Sequence, residues 1–402
     1  MSIRQGARFA LVNMQSARPG DDLLATTKAY FHAHSLAKAL VALGYQVTLY
    51  QAFDGHQRQK IAGVDVCGFP LAKVERNRSK SWVTRVLGLE TASPPDCAAL
   101  ITYLAADTPE ILHVFGISEW VVHQRVTRWA KNAGCLVSCS DHGGVPSRHP
   151  VRRMRQKHAL RWTDVFFTPS AERKQMWRGS GFFAAQQRFK VLPEISTTFA
   201  LGSQELARQE TGITGDPVVI STSNLIDRKR PILMLDSFDR LLEDWPDAQL
   251  YLYFTEATLL PEVKHRMSQS QNLSSAVTLC GSVPHDKMEA VYNSADIFFL
   301  TSTYETGPIS LGEALACGAL CACTALPSIQ RITEQDQSVK CVLFSQTADA
   351  VEIAEQMAPM KQHVSETARL RQRNYFDKYL SYDVMARAMV SELGALLHQQ
   401  RV

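Results

Sequence analysis

Apolar, strand-like runs alternate with amphipathic helical segments along the whole chain, and this alternation constrains the fold more than any other feature. "RFALVNM" precedes the helical "TKAYFHAHSLAKALVALG", which Gly44 closes as a C-cap, and the strand "YQVTLY" follows. "EILHVFG", the helix in "VVHQRVTRWAKNAG", "CLVSCS" and "DVFFTPS" continue the pattern. The rhythm restarts after "FKVLPEISTTF" with "PVVISTSN", "PILMLDSFDRLLEDW", "AQLYLYF", "AVTLCGS", "HDKMEAVYNSA", "DIFFLTS" and "LCACTAL". Strand–helix–strand repetition of this kind folds as a parallel sheet with helices on both faces. The chain is therefore α/β, with two Rossmann-like, doubly wound parallel-sheet domains, 1–195 and 196–377. A C-terminal helix, about 378–402, returns to the first domain. Ligands of such sheets bind beyond the carboxyl ends of the strands, so two facing sheets would leave a cleft between them.

A length of 402 residues suits two domains, and 45% apolar with 20% charged residues describes a globular protein. Charge is unevenly divided. Residues 1–200 hold 26 Lys/Arg against 14 Asp/Glu, and the remainder 17 against 25, so the halves are expected to meet different partners. The nine cysteines have no histidine at ligand spacing and read as small buried hydrophobes in a reducing compartment. No metal site is expected from them. The first apolar run, "FALVNM", reads as a strand and not a signal sequence, which makes the expected location cytoplasmic.

The stretch "TSTYETGPISLGEALACG", 301–318, joins a buried-type strand to a short apolar helix that begins at Pro308 and ends before Gly318. Glu305 lies at the helix mouth and Glu313 two turns on, on the helix surface. A helix N-terminus offers free N–H groups and a positive dipole end, a seat for phosphate. A carboxylate beside it accepts hydrogen bonds from hydroxyls, which a sugar nucleotide presents on both sides of its pyrophosphate. Glu305 would hold the transferred sugar and Glu313 the ribose. The plain alternative is that Glu305 caps the helix and Glu313 is solvated.

"YETGPISLGEALACGALCACT" resembles the E-x7-E segment of the family 4 retaining glycosyltransferases, which have the GT-B fold and use nucleotide sugars. "VTLCGSVPHDKMEAVYNSADIFFLTS", "SNLIDRKRPILMLDSF" and "EILHVFG…LVSCSDHGG" are similar to further family segments, in family order. The resemblance implies that Glu305 contacts donor-sugar hydroxyls, Glu313 the ribose, and the backbone around Gly307, Ile309 and Ser310 the phosphates. It puts Lys229 on the pyrophosphate, and His142 with Gly143 and Gly144 on the loop facing the sugar. His142 and Glu305 are the expected catalytic residues. The resemblance also implies that no cofactor is permanently bound and no metal required; the chain has no D-x-D triplet. The segment "SVPHDKM" after Gly281 is placed at the nucleotide base.

Three positions depart from the family pattern. Asn224 stands for the phosphate-binding arginine, so Arg228 or Arg230 would have to substitute. Thr27 and Lys28 stand for the glycine pair of the first loop, with Lys28 either paired to the diphosphate or a surface lysine. Pro308 replaces a glycine and removes one N–H donor. The expected function is sugar transfer from a nucleotide sugar to an acceptor hydroxyl by front-face displacement. A GT-B sugar-nucleotide epimerase and a catalytically silent GT-B scaffold that binds a glycan or partner are the alternatives.

"SRHPVRRMRQKHALRW", 147–162, carries six basic residues and no acid. Arg148, Arg152 and Arg153, directly after the His142 loop, suggest an anionic acceptor or peripheral contact with an anionic membrane, at the inner face of the cell membrane. A solvated basic face is the alternative. "AKVERNRSKSWVTR", 72–85, is a second, weaker basic patch. Nucleic acid is not an expected partner, because aromatics are not interleaved with the charges.

Overall fold

The computed structural model describes residues 3–15, 21–53, 55–72, 95–117, 120–192, 195–339 and 341–399. The second basic patch, apart from Ala72, lies outside them. The chain divides into two compact units, Met1–Pro193 with Tyr382–Val402, and Glu194–Ser381.

Among the described residues the first unit is built on eight strands: β1 Arg8–Asn13, β2 Gln46–Ala52, β3 Gln57–Ile61, β4 Val64–Phe69, β5 Ile111–Phe115, β6 Leu136–Ser140, β7 Val165–Thr168 and β8 Arg188–Val191. They are ordered β3-β4-β2-β1-β5-β6-β7-β8. Every neighbouring pair is parallel except β3 and β4. β5 and β6 are buried along their whole length, because helices cover both faces of the sheet centre. The antiparallel hairpin at the edge departs from the all-parallel expectation. Its turn, Ala62–Gly63, has φ of 44° and 89°, the doubly positive geometry that matches strand twist in two-residue hairpins.

The second sheet comprises β9 Val218–Ser221, β10 Gln249–Tyr253, β11 Val277–Gly281, β12 Ile297–Leu300, β13 Leu320–Thr324 and β14 Cys341–Phe344. Its order is β11-β10-β9-β12-β13-β14, and all pairs are parallel. Strand order reverses between β9 and β12, so the loops after these two strands open side by side at the sheet's carboxyl edge. That topology brings residues 222–230 beside 301–308. In the first sheet the reversal falls between β1 and β5, one strand from the loop 141–144 that follows β6.

Two helices expected as continuous are divided. The segment 27–44 is not one helix: Leu23–Ala29 and Phe31–Ala42 meet at Tyr30, whose φ and ψ of −107° and 45° are non-helical. Thr27 and Lys28 consequently lie on a helix and not in a loop; Thr27 is buried and donates its hydroxyl to the Leu23 carbonyl, and Lys28 is exposed. The charged tail forms helices Glu366–Tyr379 and Tyr382–Gln399. Only the second joins the first unit. Its stripe of Tyr382, Met385, Met389, Leu393 and Leu396 is buried with Leu36, Ala37 and Leu40, each large side chain contributing about 1.5–3 kcal/mol. Tyr375 and Phe376 of the first tail helix lie in the second unit's core.

All nine cysteines are free and seven are buried, in keeping with a packing role. Among the described residues no helix is long and apolar enough to cross a membrane.

Candidate active site

In the second unit the loops after β9 and β12 are laced together. Thr303 N–H donates to the Arg228 carbonyl at 2.8 Å, and the Thr301 hydroxyl to the Lys229 carbonyl at 2.7 Å. Ser328 donates its hydroxyl to the Glu305 carbonyl at 2.7 Å. This frame places the Lys229 ammonium on Glu305 Oε1, and Arg228 Nη1 at 3.2 Å from the same oxygen. The Lys229 and Glu305 side chains are only 13% and 10% exposed, while Arg228 is 41% exposed. Glu305 is thus a mostly buried carboxylate held by two cations, one of them open to solvent.

Beside it begins the helix Ile309–Ala316. Pro308 is not its first residue, as the sequence suggests, but the N-cap, and among the described residues no side chain caps the helix. Ile309 is 43% exposed, and Gly307 and Ser310 are partly so. An uncapped N-terminus leaves backbone N–H donors and positive dipole available together.

The two candidate substitutes for the missing arginine have different fates. Arg230 is committed to Thr301 O, Gln346 O and Thr324 Oγ1, at 2.7, 2.9 and 3.2 Å. It braces the loop. Arg228 stands at Glu305 with part of its five-donor fork facing solvent. Asn224 turns away; its Oδ1 accepts from Thr255 N–H, Thr255 Oγ1 and Glu256 N–H, each at 3.1 Å.

Glu313 is not on the helix surface. Its side chain is 8% exposed, and Oε1 lies 2.8 Å from His285 Nε2. The sequence placed His285 in the base-proximal segment without connecting it to Glu313. The two are 28 positions apart, so no local pattern links them.

In the first unit, His142 follows β6. Its Nε2 lies 2.8 Å from Ser140 Oγ, and its ring packs 5.7 Å from both Phe115 and His32. The surrounding protein lowers its pKa to about 4, although part of the side chain remains open to water. The direction follows from crowding by uncharged neighbours; partial access to water moderates it. The ring is neutral near pH 7. His32, half-buried beside it with Nδ1 3.0 Å from the Tyr382 hydroxyl, is likewise lowered, to about 3.

The loop carrying His142 and Gly143 is fixed by a group sequence reading missed. Asp141, fully buried, pairs with Arg173 at 2.6 and 2.7 Å, accepts from Trp177 Nε1 at 3.0 Å, and accepts the Gly143 N–H at 3.1 Å. Arg173 also donates to the Gly144 carbonyl. Asp141→Ala would strand a cation that is 8% exposed, at a cost of about 3 kcal/mol or more. Urea denaturation is expected to show that loss; a cost below about 1 kcal/mol would disprove the anchoring role.

Of the basic segment, Pro150–Leu160 is a helix that buries Gln156, Ala159 and Leu160. Arg153 is committed to the Ser180 carbonyl and lies 4.7 Å over the Phe182 ring. Arg148 is exposed and Arg152 partly so. Among the described residues no group of three potential metal ligands is assembled.

Residues 203–375 match the family described as Glycosyl transferases group 1, and residues 31–193 match the Glycosyl transferase 4-like domain. The chain belongs to the family 4 glycosyltransferases. Mannosylfructose-phosphate synthase of Agrobacterium fabrum is 32% identical over 123 residues, which cover 29% of this family 4 chain and 27% of that relative. Two solved structures share the fold along nearly the whole chain. Sucrose-phosphate synthase from Thermosynechococcus elongatus has a TM-score of 0.61 and 17% identity, covering 99% of each chain. Anabaena HepE in complex with UDP and glucose has a TM-score of 0.61 and 14% identity, covering 96% of this chain and 99% of its own. The fold is GT-B.

Proposed function

We propose that this family 4 protein is a retaining glycosyltransferase that moves a sugar from a nucleoside-diphosphate sugar to an acceptor hydroxyl. One observation carries the reading: a carboxylate, Glu305, held by Lys229 and Arg228 at the mouth of an uncapped helix. Hydroxyl acceptor, cations and backbone donors are thereby within one short segment pair, which is what a sugar diphosphate requires. Glu305 holds the donor sugar, Lys229 and Arg228 with the N–H groups of Gly307, Ile309 and Ser310 stabilise the diphosphate, and Glu313 binds the ribose. These cations and dipoles supply the charge compensation that a divalent metal would otherwise supply. HepE, a structural likeness, was solved with UDP and glucose, in keeping with a donor of this class.

The C1–phosphate bond breaks and the C1–acceptor bond forms on the same face of the sugar, and the acceptor proton passes to the departing phosphate oxygen. His142, neutral at pH 7, holds a substrate hydroxyl in this scheme and is not the main base. An anionic acceptor suits Arg148 and Arg152. The names mannosylfructose-phosphate synthase and sucrose-phosphate synthase, which denote phosphorylated sugars, point the same way.

Thermal shift against UDP, GDP, ADP, CMP and TDP tests the donor site. At a hundredfold excess over Kd, a nucleotide bound only to the native state adds about 2.7 kcal/mol, raising Tm by roughly 5–10 °C. Glu313→Ala is expected to weaken that nucleotide by about tenfold or more, since hydrogen bonds to a charged group are lost. Retention is read from the anomeric configuration of the product by NMR. Absence of a shift with any of the five nucleotides would overturn the reading.

A further inference from the structure

The imidazole of His285 is held on two sides. Nε2 meets Glu313 Oε1 at 2.8 Å, and the ring stacks on Phe199 with centroids 5.0 Å apart and planes inclined by 29°. His285 is half exposed at the first position of the helix His285–Ser294, and Glu313 is buried, so the histidine stands between the carboxylate and water. The Tyr292 hydroxyl is bonded to Thr222 Oγ1 at 2.8 Å and lies within reach of the Glu313 charge. A carboxylate has about four lone-pair sites. His285 takes one of them, on Oε1, and a vicinal ribose diol needs two of the others.

We propose that His285 is a positioning residue for the donor: its imidazolium locks the Glu313 carboxylate so that its remaining lone pairs receive the ribose 2′- and 3′-hydroxyls. The inference rests on Glu313 being the ribose acceptor. The charges around the ring favour this role. Glu313 from the helix Ile309–Ala316 and Asp286 from its own helix both favour the protonated ring. Glu289 is turned to the Ala200 N–H at 2.6 Å, and Arg373 is bonded to the carbonyls of Phe199 and Ala316 at 2.9 and 3.3 Å. The hydrogen bond to Glu313 outweighs partial burial and raises the His285 pKa above the ordinary 6.5. The imidazolium is therefore present below that raised value and lost as pH rises through it. A bound diphosphate adds negative charge and shifts the balance in the same direction.

The test is calorimetric affinity for UDP and GDP, each beside its 2′,3′-dideoxy form, in wild type, His285→Gln, His285→Ala and Glu313→Ala. Glutamine can still donate to Glu313 but never carries the charge. For the ribonucleotide that binds, wild type should exceed His285→Gln by about fivefold near pH 6 and by less than about twofold near pH 8.5. His285→Ala should be the weaker of the two His285 variants at both values. The nucleotide's own terminal phosphate titrates identically with each protein and cancels in the ratio. The dideoxy forms should show no difference between wild type and His285→Gln. Equal pH slopes for wild type and His285→Gln, with Glu313→Ala still weakened, would overturn the role of His285 alone. Unchanged affinity in Glu313→Ala would overturn the ribose assignment, and the His285 inference with it.

Discussion

Glu305→Gln lowers kcat by about 10²–10³-fold, with a smaller change in donor KM and a folded protein. The expected size is that of removing one preorganised electrostatic contact to the reacting sugar, about 2.7–4 kcal/mol. Glutamine keeps the shape of the side chain and one oxygen, so the donor can still dock through Lys229, Arg228 and the helix N-terminus. It cannot carry the negative charge that stabilises an oxocarbenium-like sugar. Lys229, 13% exposed, loses its counter-ion in the variant. Because Arg228 and the lysine retain access to solvent, the stability cost is expected to be about 1–2 kcal/mol, well below that of a fully buried pair. Glu305→Ala removes the side chain altogether and should abolish transfer. Steady-state kinetics paired with circular dichroism make the measurement. Near wild-type turnover in a folded Glu305→Gln protein would remove Glu305 from the mechanism.

What sequence reveals here follows from how far apart the interacting groups lie. Central strands such as β5, β6, β12 and β13 are buried on both faces, so they read as unbroken apolar runs and are visible without a structure. β3, "QRQKI", is polar and mostly open, and its turn is Ala-Gly instead of Asn-Gly, so the edge hairpin left no pattern to find. The break at Tyr30 and the division at Leu380–Ser381 carry neither glycine nor proline, and helical periodicity runs through both. At the site, Glu305 and the helix mouth are neighbours in sequence and could be read together. Lys229 is 76 positions away and entered only through family resemblance. Asp141 with Arg173, and Glu313 with His285, are pairings made by the sheet topology alone. Neither partner's surrounding sequence specifies the other.

Gly312→Ala should destabilise the second unit and abolish nucleotide binding, although alanine is the better helix former. Propensity alone would favour the substitution by about 1 kcal/mol. Space forbids it. A Cβ on Gly312 would sit 2.0 Å from the Ile195 carbonyl oxygen, and one on Gly307 would already meet Ile195 Cγ2 at 3.1 Å. The obstructing atom at Gly312 is backbone, so no rotamer change relieves it; helix or segment must move. Ile195, 1% exposed, shares its core with Leu311, Ala314 and Leu315, which resists that movement. Overpacking of this kind costs about 1–3 kcal/mol, and more when backbone must shift. Displacing the helix also carries away Glu313, the next residue, and the N–H groups of its first turn. Urea denaturation should therefore show a loss of about 2 kcal/mol or more, and the nucleotide-induced rise in Tm should vanish. The two measurements test separate links. Wild-type stability would mean that the contact with Ile195 yields without cost. Reduced stability with an intact nucleotide shift would mean that the helix N-terminus is not where the diphosphate binds.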